Sequence, residues 1–218
     1  MNPFVLALDL LFPPKCPFCT KLLEEPRALM CPECQSTLPW LEGGKAEQKL
    51  QFTSLCASPL RYQGAVRESI HRYKFSGKQQ YAKPYGVLLA QCTLDHLNGR
   101  FDLISWVPVS KRRRRERGYD QSLLLARELA AQLDRTLTPT LEKISHNPPQ
   151  SGIEYAAKRR ANVMDVYRVA DGAAVRGKRV LLVDDVVTTG ETLSECARTL
   201  LMAGAADVVC LTLARAGK

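Results

Sequence analysis

The sequence predicts an α/β protein, a mostly parallel sheet flanked by helices, preceded by a small four-cysteine metal-binding module. Three observations carry this reading. Apolar runs such as Leu103-Ile104-Ser105-Trp106-Val107 and Val180-Leu181-Leu182-Val183 lack polar alternation, as strands buried on both faces do, and they alternate with helical periodicities. Two Cys-x-x-Cys pairs, Cys16/Cys19 and Cys31/Cys34, stand near the N-terminus. Between residues 180 and 193 a strand, an acid pair, a Thr/Gly turn and a helix follow one another directly. A length of 218 residues fits one such domain plus a module, and 45% hydrophobic residues exclude wholesale disorder.

Along the chain, Met1 to Phe12 is apolar but contains Asp9, with no basic residue ahead of the apolar stretch and no small-residue cleavage site after it. It reads as a short amphipathic helix rather than a secretory signal. The module comes next. Eleven residues separate the two Cys pairs, and each pair can supply two thiolates to one tetrahedral ion, so Cys16, Cys19, Cys31 and Cys34 are the candidate ligands of a structural Zn²⁺. The alternatives are an iron–sulfur cluster and a redox dithiol, and no thioredoxin-like pattern surrounds either pair; four thiolates leave no open position for catalysis. About forty residues bury little core, so metal is expected to supply the folding energy, and its removal to unfold residues 14–40 while the rest survives. The remaining Cys56, Cys92, Cys196 and Cys210 lie singly in apolar sequence, the usage of a reducing compartment, which places the protein in the cytoplasm. The expected division is 1–40 for the N-terminal segment and zinc module, a polar, Gly-containing linker over 41–55, and one α/β domain over 56–218.

Within that domain a strand is expected over 55–62 and a helix over 64–74, with Val66, Ile70 and Tyr73 on one face and Ser76-Gly77 as its stop. Further helices are expected over 83–97, 119–133 and, rich in basic residues, 154–162. Further strands are expected over 103–107, 138–141, 165–169 and 207–213, with a turn-rich stretch over 145–153. No apolar run reaches the length of a membrane span. His71, His96 and His146 are isolated and read as surface or packing residues.

The chemistry concentrates in residues 180–193. The buried strand runs into Asp184 and Asp185, read as lying beyond its end; Thr188, Thr189, Gly190, Glu191 and Thr192 form the turn; the helix follows with Leu193, Ala197, Leu200 and Leu201 on one face. The first amides of a helix are unpaired and stand at the positive end of its dipole, so with Thr hydroxyls they can hold a phosphate, and a glycine lets the backbone approach it. Two carboxylates suit ribose hydroxyls with Mg²⁺ nearby. A ribose 5-phosphate satisfies both halves. The segment closely resembles the PRPP-binding motif of type I phosphoribosyltransferases, which implies that Asp184 and Asp185 take the ribose 2′- and 3′-hydroxyls and the turn takes the 5-phosphate.

A second feature is basic. The chain carries a net charge of +9 and a pI near 9.2, which points to an anionic partner. Six of the seven residues 111–117 are cations: Lys111, Arg112, Arg113, Arg114, Arg115 and Arg117. They leave the end of the 103–107 strand, where ligands of α/β sheets bind, and could hold a pyrophosphate. Lys158, Arg159 and Arg160 extend the basic character, and together the two stretches could track a nucleic-acid backbone.

As a whole the chain resembles the ComF family, including proteins labelled GntX-like: cytoplasmic phosphoribosyltransferase-like proteins of DNA uptake and competence. The resemblance runs through Leu10-Leu11-Phe12-Pro13-Pro14-Lys15-Cys16-Pro17-Phe18-Cys19, Leu38-Pro39, Tyr73-Lys74-Phe75-Ser76-Gly77, Arg117-Gly118-Tyr119-Asp120-Gln121, Gln150-Ser151-Gly152, Arg159-Arg160-Ala161-Asn162-Val163 and the PRPP motif. Where the family commonly has Phe-Asn, this chain has Tyr119-Asp120. The resemblance implies a type I phosphoribosyltransferase-like fold, PRPP with Mg²⁺ as ligand, single-stranded DNA as partner, and DNA-uptake channel or helicase proteins as further partners. It leaves two alternatives: an active phosphoribosyltransferase on an unidentified base, and a zinc-scaffolded adaptor with a relic PRPP fold. Relatives acting on 6-oxopurines carry an Asp at the place of Thr188, which argues against that substrate class. No catalytic residue is identified.

Overall fold

The computed structural model describes residues 13–25, 28–144 and 166–217. The helix expected at the N-terminus, the turn-rich stretch, the basic helix with Lys158, Arg159 and Arg160, and His146 lie outside these. The elements in order are α1 (Pro32–Thr37), β1 (Glu47–Gln48), β2 (Leu55–Ala57), β3 (Leu60–Arg61), α2 (Gly64–Phe75), α3 (Ala82–His96), β4 (Leu103–Trp106), α4 (Lys111–Arg117), α5 (Gln121–Gln132), β5 (Leu141–Lys143), β6 (Tyr167–Val169), α6 (Gly172–Val175), β7 (Arg179–Val187), α7 (Glu191–Met202) and β8 (Asp207–Arg215).

The main sheet runs β1-β2-β8-β7-β4, with β3 also on β8; every pairing is parallel except β1 on β2. Alternate residues of β7 serve opposite faces. Leu181 and Val183 pack with α2, α3 and α5, while Val180 and Leu182 pack with Leu193, Cys196, Ala197 and Leu200 of α7. Helices on both faces explain why these strands read as unbroken apolar runs.

Four expectations change in detail. The single strand expected over 55–62 is two, because Pro59 brings no amide to the ladder; Ser58 instead donates its amide to Ala46 O at 2.9 Å and shares a hydroxyl hydrogen bond of 2.7 Å with Thr212. Residues 43–48, read as linker, form a 3-10 turn and the edge strand β1. The strand expected over 138–141 meets β4 at the Leu137–Ile104 bridge and through a 2.7 Å hydroxyl hydrogen bond between Thr140 and Ser105, then pairs as β5 antiparallel with β6 in a separate two-stranded sheet over α7. The helix expected from residue 119 starts at Gln121, because Asp120 accepts the Leu123 amide at 3.0 Å and so caps it.

The cysteine module is packed into the same core as α2 and α3. Phe18 is 1% exposed with its ring 5.8 Å from that of Tyr85. The buried Ser69 hydroxyl donates to Pro17 O and hydrogen-bonds the Tyr85 hydroxyl. Arg72 donates to Pro17 O at 3.0 Å and Phe18 O at 2.7 Å. Among the described residues, no helix is long and apolar enough to cross a membrane.

Candidate functional site

The site lies where β4 and β7 end unequally. Trp106, the last residue of β4, pairs with Val183, whereas β7 continues beside β8 to Val187. Asp184 and Asp185 therefore sit inside β7, not beyond it as read from the sequence, where β7 still pairs with β8 but no longer with β4. This is the carboxyl end of the parallel strands, where α/β sheets bind ligands.

The two acids have different surroundings. Asp184 Oδ1 accepts from Ser122 Oγ of α5 at 2.7 Å and from the Asp185 amide at 2.8 Å. Burial, and next the Asp185 charge, nonetheless raise its pKa to about 7. Asp185 is buried, and its Oδ1 meets Lys74 Nζ of α2 at 2.7 Å. Its Oδ2 is buried without a hydrogen-bond partner among the described residues. An acceptor left over beside a second carboxylate fits a cation or a ligand hydroxyl, so the donor set suits Mg²⁺ and a ribose.

The basic cluster is a helix rather than a loop. Ser110 caps α4 by accepting the Arg113 amide at 3.3 Å, and Gly118, at φ +80°, ends it in the left-handed conformation that glycine adopts without strain. Helical geometry splits the cations between two faces. Arg113 and Arg117 line a recess of about 380 Å³ with Lys74, Phe75, Gly77 and Glu116, next to the acid pair. Lys111, Arg114 and Arg115 line a separate basin with Gly118. Arg112 pairs with Glu116 at 3.7 Å. Asp120, at the family's Asn position, also accepts the Val109 amide at 3.2 Å, so it ties the strand exit to α5.

The third wall is the turn into α7. Gly190, at φ +81°, occupies the N-cap and brings no side chain of its own to the first amides, while Thr189 Oγ1 accepts the Glu191 amide at 3.5 Å. A Cβ on Gly190 would lie 2.6 Å from Leu50 Cδ2. Thr188 and Thr189 are exposed, and Glu191 and Thr192 are half-buried, at this turn. β5 and β6 add a partly buried lysine: Lys143 Nζ donates to Tyr167 Oη at 3.0 Å, and burial, then the Arg113 charge, lower its pKa.

The structure thus brings Asp184, Asp185, Arg113 and Arg117 together around residues that sequence reasoning passed over: Lys74, Ser122 and Lys143. Lys74 had a visible position, at the C-terminus of a helix ahead of Ser-Gly, but a cation there is also the ordinary complement of the helix dipole. Lys143 and Ser122 carry no local pattern. His96 hydrogen-bonds Glu47 at 2.9 Å, and His71 lies against Phe75; neither reaches the acids.

In the module the thiol sulfurs of Cys16, Cys19, Cys31 and Cys34 all lie within 4.8 Å of one another, with Cys19 and Cys31 at 3.5 Å. Tetrahedral zinc with bonds of about 2.3 Å requires sulfurs roughly 3.8 Å apart, so the cluster fits a closed structural site. Burial opposes ionisation of Cys16, but the amides of Cys19, Cys31 and Phe18 pull its pKa down to about 7.

Comparison with known proteins agrees with both parts. Residues 120–218 match the phosphoribosyl transferase domain family, and residues 7–46 match the double zinc ribbon domain. The chain is 30% identical over 207 residues to DNA utilization protein YhgH of Salmonella typhimurium, covering 92% of this chain and 89% of that one. It is 36% identical over 112 residues to Competence protein F of Haemophilus influenzae, covering 50% and 48%. Glutamine phosphoribosylpyrophosphate amidotransferase from B. subtilis aligns with 61% of this chain and 26% of its own, at 25% identity and a TM-score of 0.43. With a zinc-ribbon module, a phosphoribosyltransferase-like α/β domain and a relative 30% identical over 92% of this chain's length, the chain belongs to the ComF family.

Proposed function

We propose that this protein binds PRPP with Mg²⁺ in the cleft at the ends of β4 and β7, and that it serves DNA uptake or DNA utilisation by binding single-stranded DNA on its basic surface. The observation that carries the first half is a two-carboxylate cluster near the end of β7, followed directly by the Gly190 turn and the N-terminus of α7. Asp184 and Asp185 would take the ribose hydroxyls and hold Mg²⁺ beside them; the amides of Glu191 and Thr192, with the Thr188 and Thr189 hydroxyls, would take the 5-phosphate. Arg113, Arg117 and Lys143 stand on the side where a pyrophosphate would lie and supply its counter-charge. Mg²⁺, when bound, neutralises phosphate oxygens; the residues of the chain bind and orient.

The second half draws on the names of the relatives and on the charge of α4. Arg113, Arg114, Arg115 and Arg117 meet no carboxylate within ion-pair distance among the described residues, so they remain available to phosphates. Lys158, Arg159 and Arg160 would extend this surface.

The test is ³¹P NMR of PRPP with protein and Mg²⁺, with and without a mixture of nucleobases. Broadened PRPP signals, lost in the Asp184→Asn/Asp185→Asn double variant, are expected. Unchanged signals would sink the ligand assignment. Growth of free pyrophosphate only when a base is present would add transfer catalysis to binding.

A further inference from the structure

Phe75 closes α2 with its residue 58% exposed, and it lines the recess that Lys74 shares with the acid pair. What marks this ring among the exposed apolar side chains is its company, since it shares the recess with Lys74, Arg113 and Arg117. Two neighbours hold it in place. The Arg117 guanidinium carbon lies 4.8 Å from the ring centroid, and the His71 ring is centred 4.8 Å away. Arg117 Nη1 is buried without a hydrogen-bond partner among the described residues, so this guanidinium is oriented by the ring and by no carboxylate.

Charge runs outwards from the ring in both directions. One and two turns back along α2, His71 and Arg67 line a basin of about 510 Å³. Along α4, Arg113 shares the recess with Phe75, and Lys111, Arg114 and Arg115 line the next basin, of about 400 Å³. Two acids lie on this track: Glu68 stands 3.9 Å from Arg72, and Glu116 stands 3.7 Å from Arg112. Net positive charge therefore remains along the whole of it.

We propose that Phe75, backed by Arg117, is a stacking platform for one base of single-stranded DNA, at the centre of a cationic track formed by α2 and α4. The proposal rests on the DNA reading above and deepens it. A phenyl face offers nothing to a free phosphate or to pyrophosphate, and a folded protein partner would call for a wider apolar patch than one ring among arginines. A strand that alternates flat bases with phosphates matches a ring flanked by guanidinium groups. The recess also lies within the reach of Lys74 from Asp185, so the strand would pass the mouth of the PRPP cleft.

The experiment is fluorescence anisotropy of a labelled oligo-dT with the full-length, zinc-loaded protein, across a salt series, for wild type, Phe75→Ala and Phe75→Trp. Loss of one base stack is worth about 1–3 kcal/mol, so Phe75→Ala is expected to weaken binding by roughly 5- to 150-fold with an unchanged salt slope, because no charge is removed. Phe75→Trp is expected to keep the affinity and to show quenched indole emission on adding the oligonucleotide. Phe75 is exposed, so both variants should melt as wild type does. Wild-type affinity in Phe75→Ala would overturn the platform and leave the DNA reading standing. No binding by the wild type would remove the DNA reading itself. Loss of self-association in Phe75→Ala with DNA affinity intact would assign the ring to a contact between copies and overturn the proposal.

Discussion

Lys74 Nζ lies 2.7 Å from Asp185 Oδ1, with side chains 19% and 6% exposed, and so joins the last turn of α2 to the middle of the acid strand. Removing one partner of a buried pair leaves an uncompensated charge, which typically costs about 3–5 kcal/mol. Lys74→Met is expected at the lower end of that range because the lysine retains some solvent. Adding Asp185→Asn to Lys74→Met should recover most of the loss. Urea unfolding of the two single variants and the double variant measures the coupling; additive losses would mean the pair contributes no specific stability.

Asp184 gives the site a pH dependence. Its folded pKa, about 7, is above the ordinary carboxylate value. The folded state therefore binds the proton more tightly than the unfolded chain, and this contribution to stability is complete near pH 4 and lost as pH rises through about 7. Asp184→Asn should raise the melting temperature at pH 8 relative to wild type, and the advantage should vanish towards pH 5. The ionised acid is the form that holds a cation or accepts from a ribose hydroxyl, so Mg²⁺-dependent PRPP affinity should climb from pH 6 to pH 8. Ser122→Ala, which removes a donor that favours ionisation, should move that climb to higher pH. Calorimetric titration at four pH values decides it, and a flat profile would refute the assignment.

Zinc removal should be felt beyond the module. The sequence alone suggests that residues 14–40 unfold while the rest survives. In the structure Phe18 is buried in the core of α2 and α3, and Pro17 O satisfies Ser69 and Arg72. Exposing Phe18 costs about 2 kcal/mol, which for a chain of this size lowers Tm by roughly 4–8 °C. Differential scanning calorimetry with and without a chelator should show the main transition shifted downward. A main transition that stays in place would restore the picture of two independent units.

Two glycines separate packing from ligand binding. At Gly86 an added Cβ would lie 2.4 Å from Glu128 Cβ and 3.2 Å from its backbone carbon, where α3 crosses α5. Gly86→Ala is expected to cost about 1–3 kcal/mol by overpacking and to leave PRPP affinity of the folded protein unchanged. Gly190→Ala meets only the end of the flexible Leu50 side chain but forces a Cβ into φ +81°. It should cost about 1 kcal/mol and weaken PRPP binding, because the turn that exposes the α7 amides is distorted. Melting curves paired with ³¹P titrations separate the two; equal losses of affinity would deny the turn its special role.

The class of fold, the candidate metal ligands and the motif of the candidate site are legible in the sequence alone. Runs such as Val180-Leu181-Leu182-Val183 can be buried only between two helical layers, Cys-x-x-Cys pairs bring their own spacing, and the turn after Asp185 is written in contiguous residues. All of these depend on interactions between near neighbours in the chain. Tertiary structure alone decided which partners complete them. Lys74, Ser122 and Lys143 reach the site from three elements far apart in sequence, and the division of the 111–117 cations between two faces required α4 to be a helix, with Arg117 over the Phe75 ring. The acids lie inside β7 because β8 outlasts β4, a difference in strand length set by packing across the sheet, which no local pattern of residues encodes.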